Sequence, residues 1–195
     1  IDTNHPGTLA VTSAIKEALK GSDVEIVSYD LTNMGDKDFK TIIAKIKRAN
    51  PDIIVLEMFS PELEIAARQI KELNLKKPLT SVETFEWSGD ASLFEGSWFV
   101  SDSIVPGFNT KYKTAYGVDP MSGSSYVYDL VSLLISLQEK SETAIAPQDL
   151  PKMISAMGDW NSPVFGSIKI DSEGFFLTGP AVKMIKGGKA VAEVK

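Results

Sequence analysis

Asn50-Pro51-Asp52-Ile53-Ile54-Val55-Leu56-Glu57-Met58-Phe59-Ser60-Pro61 is the stretch that decides the fold. Asn50-Pro51 closes a helix, because the residue before a proline disfavours helical geometry. Residues 53–56 form a short, continuous, β-branched run, the pattern of a parallel strand covered on both faces. Ser60-Pro61 then opens the next helix, with serine before it and proline in its first turn.

The same alternation extends on both sides. Upstream, Asp36 or Asp38 caps a helix whose buried face is Phe39, Ile42, Ile43 and Ile46. Before it, residues 24–29 read as a strand. Earlier still, Leu9, Val11, Ala14, Ile15, Ala18 and Leu19 have helical spacing, with Gly21 as the terminal cap. The opening Ile1 to Gly7 reads as the end of a strand and the loop after it, so the chain starts inside a motif. Downstream, Leu63, Ala66, Ala67, Ile70 and Leu73 continue the helix begun at Ser60, Asn74 ends it, and residues 78–82 are the next strand. The resulting αβαβαβ order predicts a parallel sheet with right-handed crossovers.

Past Glu83 the rhythm changes. Residues 87–96 are loop-like, 97–100 a strand, and Pro106-Gly107 a break. Helices are expected at 109–116, 123–139 and 148–157. The second carries Val127, Leu130, Val131, Leu134 and Leu137, a stripe that needs a partner surface. Residues 165–170 read as a strand, 171–174 as a turn, and 181–194 as a hairpin turning at Gly187-Gly188.

Composition narrows the chemistry. The 195 residues carry a net charge of -6 and a pI near 4.9, against the clustered basic surface that nucleic acid requires. No apolar run approaches the roughly 18 to 20 residues of a membrane span. With no cysteine, the chain has no disulfide, thiolate metal site or cysteine nucleophile. The lone His5 is a poor base for a Ser-His-Asp triad. There is no H-E-x-x-H, P-loop or G-x-G-x-x-G, and Asp36, Asp38 and Asp52 do not have metal-loop spacing. These observations predict no enzyme activity, no cofactor and no metal.

In open α/β sheets, ligands bind above the carboxyl ends of the strands. Met58-Phe59-Ser60 follows one strand, and Glu83-Thr84-Phe85-Glu86-Trp87 follows the next. Glu83 with Phe59, Phe85 and Trp87 at one rim suits a cationic or zwitterionic small molecule: the carboxylate pairs with an ammonium and the rings form apolar walls. The plainer alternative is that the rings pack a loop and Glu83 is a solvated acid.

At this point the residues resemble a known family. Asp38-Phe39 with Ile43, Ile46 and Lys47, Asn50-Pro51-Asp52-Ile53-Ile54, Pro61-Glu62, Arg68-Gln69 and Leu73-Asn74-Leu75 carry the likeness. It continues through Tyr112, Tyr116-Gly117, Pro120, Tyr126 to Asp129, Phe165-Gly166 and Gly187-Gly188-Lys189. In order and spacing the chain resembles the C-terminal half of type I periplasmic solute-binding proteins of branched-chain amino acid ABC transporters. The resemblance implies two Rossmann-like α/β lobes with helices on both sheet faces, closing on a ligand. By it, residues 1–103 are lobe two without its first strand, 104–179 belong to lobe one, and 180–195 cross back and end in a hairpin. Hinges fall near 103–107 and 177–180.

The resemblance also assigns roles. Glu83 falls on the family's ammonium-binding glutamate, and Phe59 on a ring flanking the ligand, where tyrosine is usual. Ser60, Phe85, Trp87 and Pro6 complete the expected ligand-binding set. His5-Pro6-Gly7 stands where Tyr-Gly is usual, which removes a hydroxyl or an aromatic wall. The implied partners are an amino acid or analogue and an ABC permease, in the periplasm or outside the cell, with a lipid anchor carried upstream as one form. The alternatives are the extracellular sensing domain of a receptor of this fold, or an α/β enzyme whose catalytic residues lie upstream.

Overall fold

The structure is a computed structural model that describes residues 1–120 and 122–191, without the side chain of residue 122. In chain order its elements begin with β1 (Asp2–Thr3), α1 (Pro6–Ala18), β2 (Leu31–Thr32), α2 (Lys40–Ala49), β3 (Ile54–Val55), α3 (Glu62–Glu72) and β4 (Leu79–Thr80). Two 3-10 turns, Thr84–Trp87 and Ala91–Phe94, lead to β5 (Trp98–Asp102). Then come α4 (Phe108–Tyr116), α5 (Ser122–Glu139), α6 (Leu150–Ser155), β6 (Asp159–Ser162), β7 (Gly166–Ile170), β8 (Phe176–Leu177), β9 (Pro180–Lys186) and β10 (Lys189–Val191). The chain divides into two compact units, one of Ile1–Ser101 with Val182–Lys195 and one of Asp102–Ala181.

The first unit is the α/β body. β1 pairs parallel with β2, and β3 pairs parallel with β4. The parallel bridges Asp2↔Glu57 and Val82↔Val100 join these pairs to one another and to β5. The strand order is therefore β2-β1-β3-β4-β5, with β9 and β10 added beyond β5. From β1 the chain moves outward to β2 and then returns to β3 on the other side. The topological switch point lies between β1 and β3, where open α/β sheets bind ligands.

The core follows from the periodicities. Phe39, Ile43 and Ile46 of the α2 segment are buried with Ile54 and Leu56, and with Leu63, Ala66 and Ile70 of α3. Burying each of the larger aliphatic side chains is worth about 1.5 to 3 kcal/mol. α2 stops at Asn50, which takes a left-handed conformation (φ 49°) and returns its N–H to the Ile46 carbonyl. The N-cap of α2 is Phe39, without a side-chain cap, in place of the expected Asp36 or Asp38; Asp38, one residue earlier, accepts the Lys40 N–H at 3.0 Å. Asp36 instead accepts the Asn33 N–H at 2.8 Å.

One expectation needs correction in this unit. Residues 24–29 are not a strand: Val24 is 59% and Ile26 45% exposed, and the paired residues are Leu31 and Thr32. β1 offers only Asp2 and Thr3 for pairing, so the ladder does not reach back to Val24. The strand end expected at the opening is Asp2 and Thr3, bonded on both sides. The terminal hairpin forms with register Lys189↔Lys186 and Val191↔Met184. Its expected continuation to 194 lies outside the described residues.

In the second unit, α5 packs on an antiparallel meander of β6, β7 and β8. Leu133 and Leu137 are buried against Ile170, with Trp160 and Phe176 partly buried around them. The apolar stripe therefore splits. Leu137 faces this core and Leu134 is half-buried, whereas Val127, Leu130 and Val131 are 45–62% exposed. Asp129, on the inward side, accepts the Ser162 hydroxyl, and burial pushes its carboxyl upward. β6 and β8 have no strand signature in the sequence, because Trp160 is the one apolar residue of Asp159–Ser162 and β8 has two residues.

Candidate functional site

Three loops meet the switch point or flank it. After β1, His5 is the N-cap of α1, and its Nδ1 accepts the Gly7 N–H at 3.1 Å. With Nδ1 accepting, a neutral imidazole carries its proton on Nε2. After β3, Phe59 is half-buried and its carbonyl receives the Leu63 N–H at the start of α3. The Ser60-Pro61 peptide is cis. After β4 come Glu83 and the 3-10 turn that ends in Trp87.

Rings from these loops touch. His5 and Phe59 meet edge-to-face, with centroids 5.1 Å apart and planes at 89°. Phe59 and Trp87 are stacked at 5.9 Å and 12°. Both are favoured arrangements of aromatic quadrupoles. Trp87 keeps 39% of its surface exposed. Together the rings form an apolar wall beside the carboxyl ends of β1 and β3.

Glu83 has an unusual backbone. Its φ of 63° and ψ of -35°, with the Thr84 N–H donating to the Val82 carbonyl at 2.8 Å, make it the centre of a γ-turn of the rare, positive-φ form. Such a residue carries strain on the order of 1 to 3 kcal/mol and persists only where its surroundings over-determine it. They do so here. The Val82 N–H donates to Glu57 Oε1 at 2.6 Å, and the Thr84 hydroxyl to the Leu56 carbonyl at 3.0 Å. The Glu83 N–H donates to the Val100 carbonyl at 2.7 Å, and the Phe85 N–H to Ser81 Oγ at 3.2 Å. Glu83 is thereby fixed, half-buried, at a strand end.

A second acid, Glu57, lies beneath that turn, 1% exposed. Burial pushes its carboxyl up to about 8; the Val82 N–H opposes this, and the charges of Asp2 and Glu83 add to it. Its other oxygen, Oε2, is buried without a hydrogen-bond partner. At neutral pH Glu57 is therefore mostly protonated. A third acid, Glu64, receives the Ser60 hydroxyl at 2.6 Å, the Ser88 hydroxyl at 2.7 Å and the Gly89 N–H at 2.8 Å. Burial raises the Glu64 carboxyl, but these hydrogen bonds outweigh it and leave the group below its usual value. Glu64 thus pins the Trp87 loop to the start of α3.

The residues expected at the site fall into separate groups. Phe59, Trp87 and Glu83 lie at the carboxyl ends of adjacent strands. Ser60 lies beside them, with its hydroxyl committed to Glu64. Phe85 is fully buried, stacked on Phe94 at 4.2 Å and tilted against Phe99 at 6.2 Å, so its ring packs the core. Pro6 is exposed and opens α1. The ring at that corner is His5, edge-to-face on Phe59. Glu57 and Glu64 were not singled out from sequence. Glu57 directly follows an apolar strand, the same signal that found Glu83. Among the described residues there is no cluster of His, Cys, Asp or Glu able to hold a metal, and no helix is long and apolar enough to cross a membrane.

A doubly wound sheet with its polar and aromatic groups at the switch point defines a ligand-binding α/β domain. The periplasmic binding protein family model matches residues 1–183, and the chain belongs to that family. It is 26% identical over 155 residues to Leu/Ile/Val-binding protein homolog 1 of Brucella abortus, covering 75% of this chain and 41% of that one. The structure is similar to the substrate-binding protein of a branched-chain amino acid transporter from Streptococcus pneumoniae, solved with isoleucine, at a TM-score of 0.78 and 19% identity. A solute-binding protein from R. palustris, solved with 4-hydroxybenzoate, matches at a TM-score of 0.79 and 17% identity. Each comparison covers 99% of this chain and 58% of the other. The fold is that of type I periplasmic binding proteins, and the chain spans less than half the length of the Brucella relative.

Proposed function

We propose that this chain supplies one lobe's half of a ligand site in a non-enzymatic, extracytoplasmic solute-binding protein, which closes on an amino acid and delivers it to an ABC permease. The observation that carries this reading is the placement of Glu83, on a strained turn at the end of the strand next to the His5–Phe59–Trp87 wall. A carboxylate placed there suits an ammonium group. The rings suit an apolar side chain. The relatives named for leucine, isoleucine and valine support an amino acid.

In the same reading, residues 1–101 and 182 onward form lobe two, and 102–181 belong to lobe one. The division of the chain at those points supports it. A second ligand class, a planar aromatic acid, is favoured by the three rings and by the relative bound to 4-hydroxybenzoate. A thermal-shift screen of the full-length protein separates the two. Ligand at about 100 times its dissociation constant adds about 2.7 kcal/mol of stability. L-leucine or L-isoleucine should raise the midpoint and 4-hydroxybenzoate should not; the reverse pattern contradicts the amino-acid reading.

A further inference from the structure

We propose that Glu86 is a positioning residue that ties the ligand-facing turn to the two strands through which the chain passes between its units. The inference rests on the lobe-closing reading above. Glu86 lies in the 3-10 turn between Glu83 and Trp87. Its Oε2 accepts the Ser101 hydroxyl at 2.6 Å, and both of its oxygens accept Lys183 Nζ at 3.0 Å. Lys183 also donates to Ser101 Oγ at 3.3 Å. The side chains of Lys183 and Glu86 are only 12% and 23% exposed, so water screens the pair far less than a surface pair.

The positions of these partners carry the argument. Ser101 on β5 is the last residue of the first unit before the chain leaves it, and Val182, next to Lys183 on β9, is the first on its return. The neighbouring residue, Asp102, is fastened the other way. It accepts the Thr178 hydroxyl, and the Tyr126 hydroxyl at 2.5 Å, both within the second unit. The Ser103 N–H, bonded to the Gly179 carbonyl at 2.9 Å, strengthens that second anchorage. Adjacent residues are thus clamped into different units. The chain crosses between the units at the Ser101–Asp102 link and again at Ala181–Val182, within β5 and β9. A rotation there pulls on Ser101 and Lys183, which pull on Glu86 and through it on the turn bearing Trp87. A ligand seated against Trp87 biases closure through the same bonds, since coupling between two sites is reciprocal.

The test uses E86Q, K183M and the double variant in the full-length protein. Without ligand, hydrogen exchange of residues 83–89 should rise on the order of tenfold in each single variant, while α2 is unchanged. Unchanged exchange at 83–89 overturns the proposal. With L-leucine as probe, dissociation should accelerate on the order of tenfold while association stays within about twofold. The double variant should lose no more than either single one, because the pair acts as a unit. Additive losses, or a loss confined to association, overturn it. If the unmutated protein does not bind L-leucine, the amino-acid reading fails and the exchange measurement alone decides the role of Glu86.

Discussion

Glu57 accepts the Val82 N–H at 2.6 Å, and the carbonyl of the same Val82 closes the γ-turn that projects Glu83. A buried acid thus fixes the backbone that carries the half-buried Glu83. The arrangement has a pH signature. Glu57 holds its proton in the folded state up to about 8, against an ordinary value of 4.5. The folded state binds more protons than the unfolded one between those limits. Its stabilising contribution is therefore complete below about 4.5 and is lost as pH rises through 8, by at most roughly 1.4 kcal/mol per pH unit. Glu57→Gln keeps an acceptor for Val82 and removes the titration. Denaturant melts at pH 5 and pH 8 should show a smaller loss in the variant than in the unmutated protein; equal losses would mean that Glu57 is ionised in the fold.

Backbone strain at Glu83 yields a second expectation. Glycine adopts positive φ without the Cβ penalty. Glu83→Gly should therefore leave stability unchanged or raise it by about 1 kcal/mol while abolishing ammonium recognition. A destabilisation of several kcal/mol in chemical unfolding would show that the carboxylate, and not its backbone, matters to the fold.

Phe85 and Trp87 should separate cleanly. Phe85→Ala empties a site in the aromatic core and should cost about 3 to 5 kcal/mol. Trp87, 39% exposed, should cost much less on replacement by alanine, yet weaken ligand binding. Calorimetric melts with binding titrations distinguish the two; a Trp87→Ala variant that binds normally removes that ring from the site.

Much of this fold is legible in the amino-acid order. Phe39, Ile43 and Ile46, the run at residues 53–56, and the Ser60-Pro61 start of α3 identify the helices and the parallel strands, because burial on one or both faces imposes those periods. The run Val24 to Tyr29 misleads, since β-branched residues look alike whether or not a partner strand reaches them. Counting beyond each strand placed Phe59, Glu83 and Trp87 after the carboxyl ends of β3 and β4. What could not be read was side-chain direction. Nothing in the spacing tells that Phe85 turns inward to Phe94 while Trp87 turns out to Phe59, or that His5 supplies the ring at its corner. The roles of Glu57 and Glu64 depend on hydrogen bonds 25 residues away in sequence, to Val82 and Gly89.

The most direct measurement is calorimetric titration of L-leucine into the full-length protein and its Glu83→Gln variant. Losing a hydrogen bond to a charged group should weaken binding by about 1.5 to 3 kcal/mol, more than tenfold in affinity, with the melting temperature of the ligand-free protein little changed. Equal affinity in the variant would show that the ammonium group is held elsewhere and that the strained turn at Glu83 does not serve the ligand.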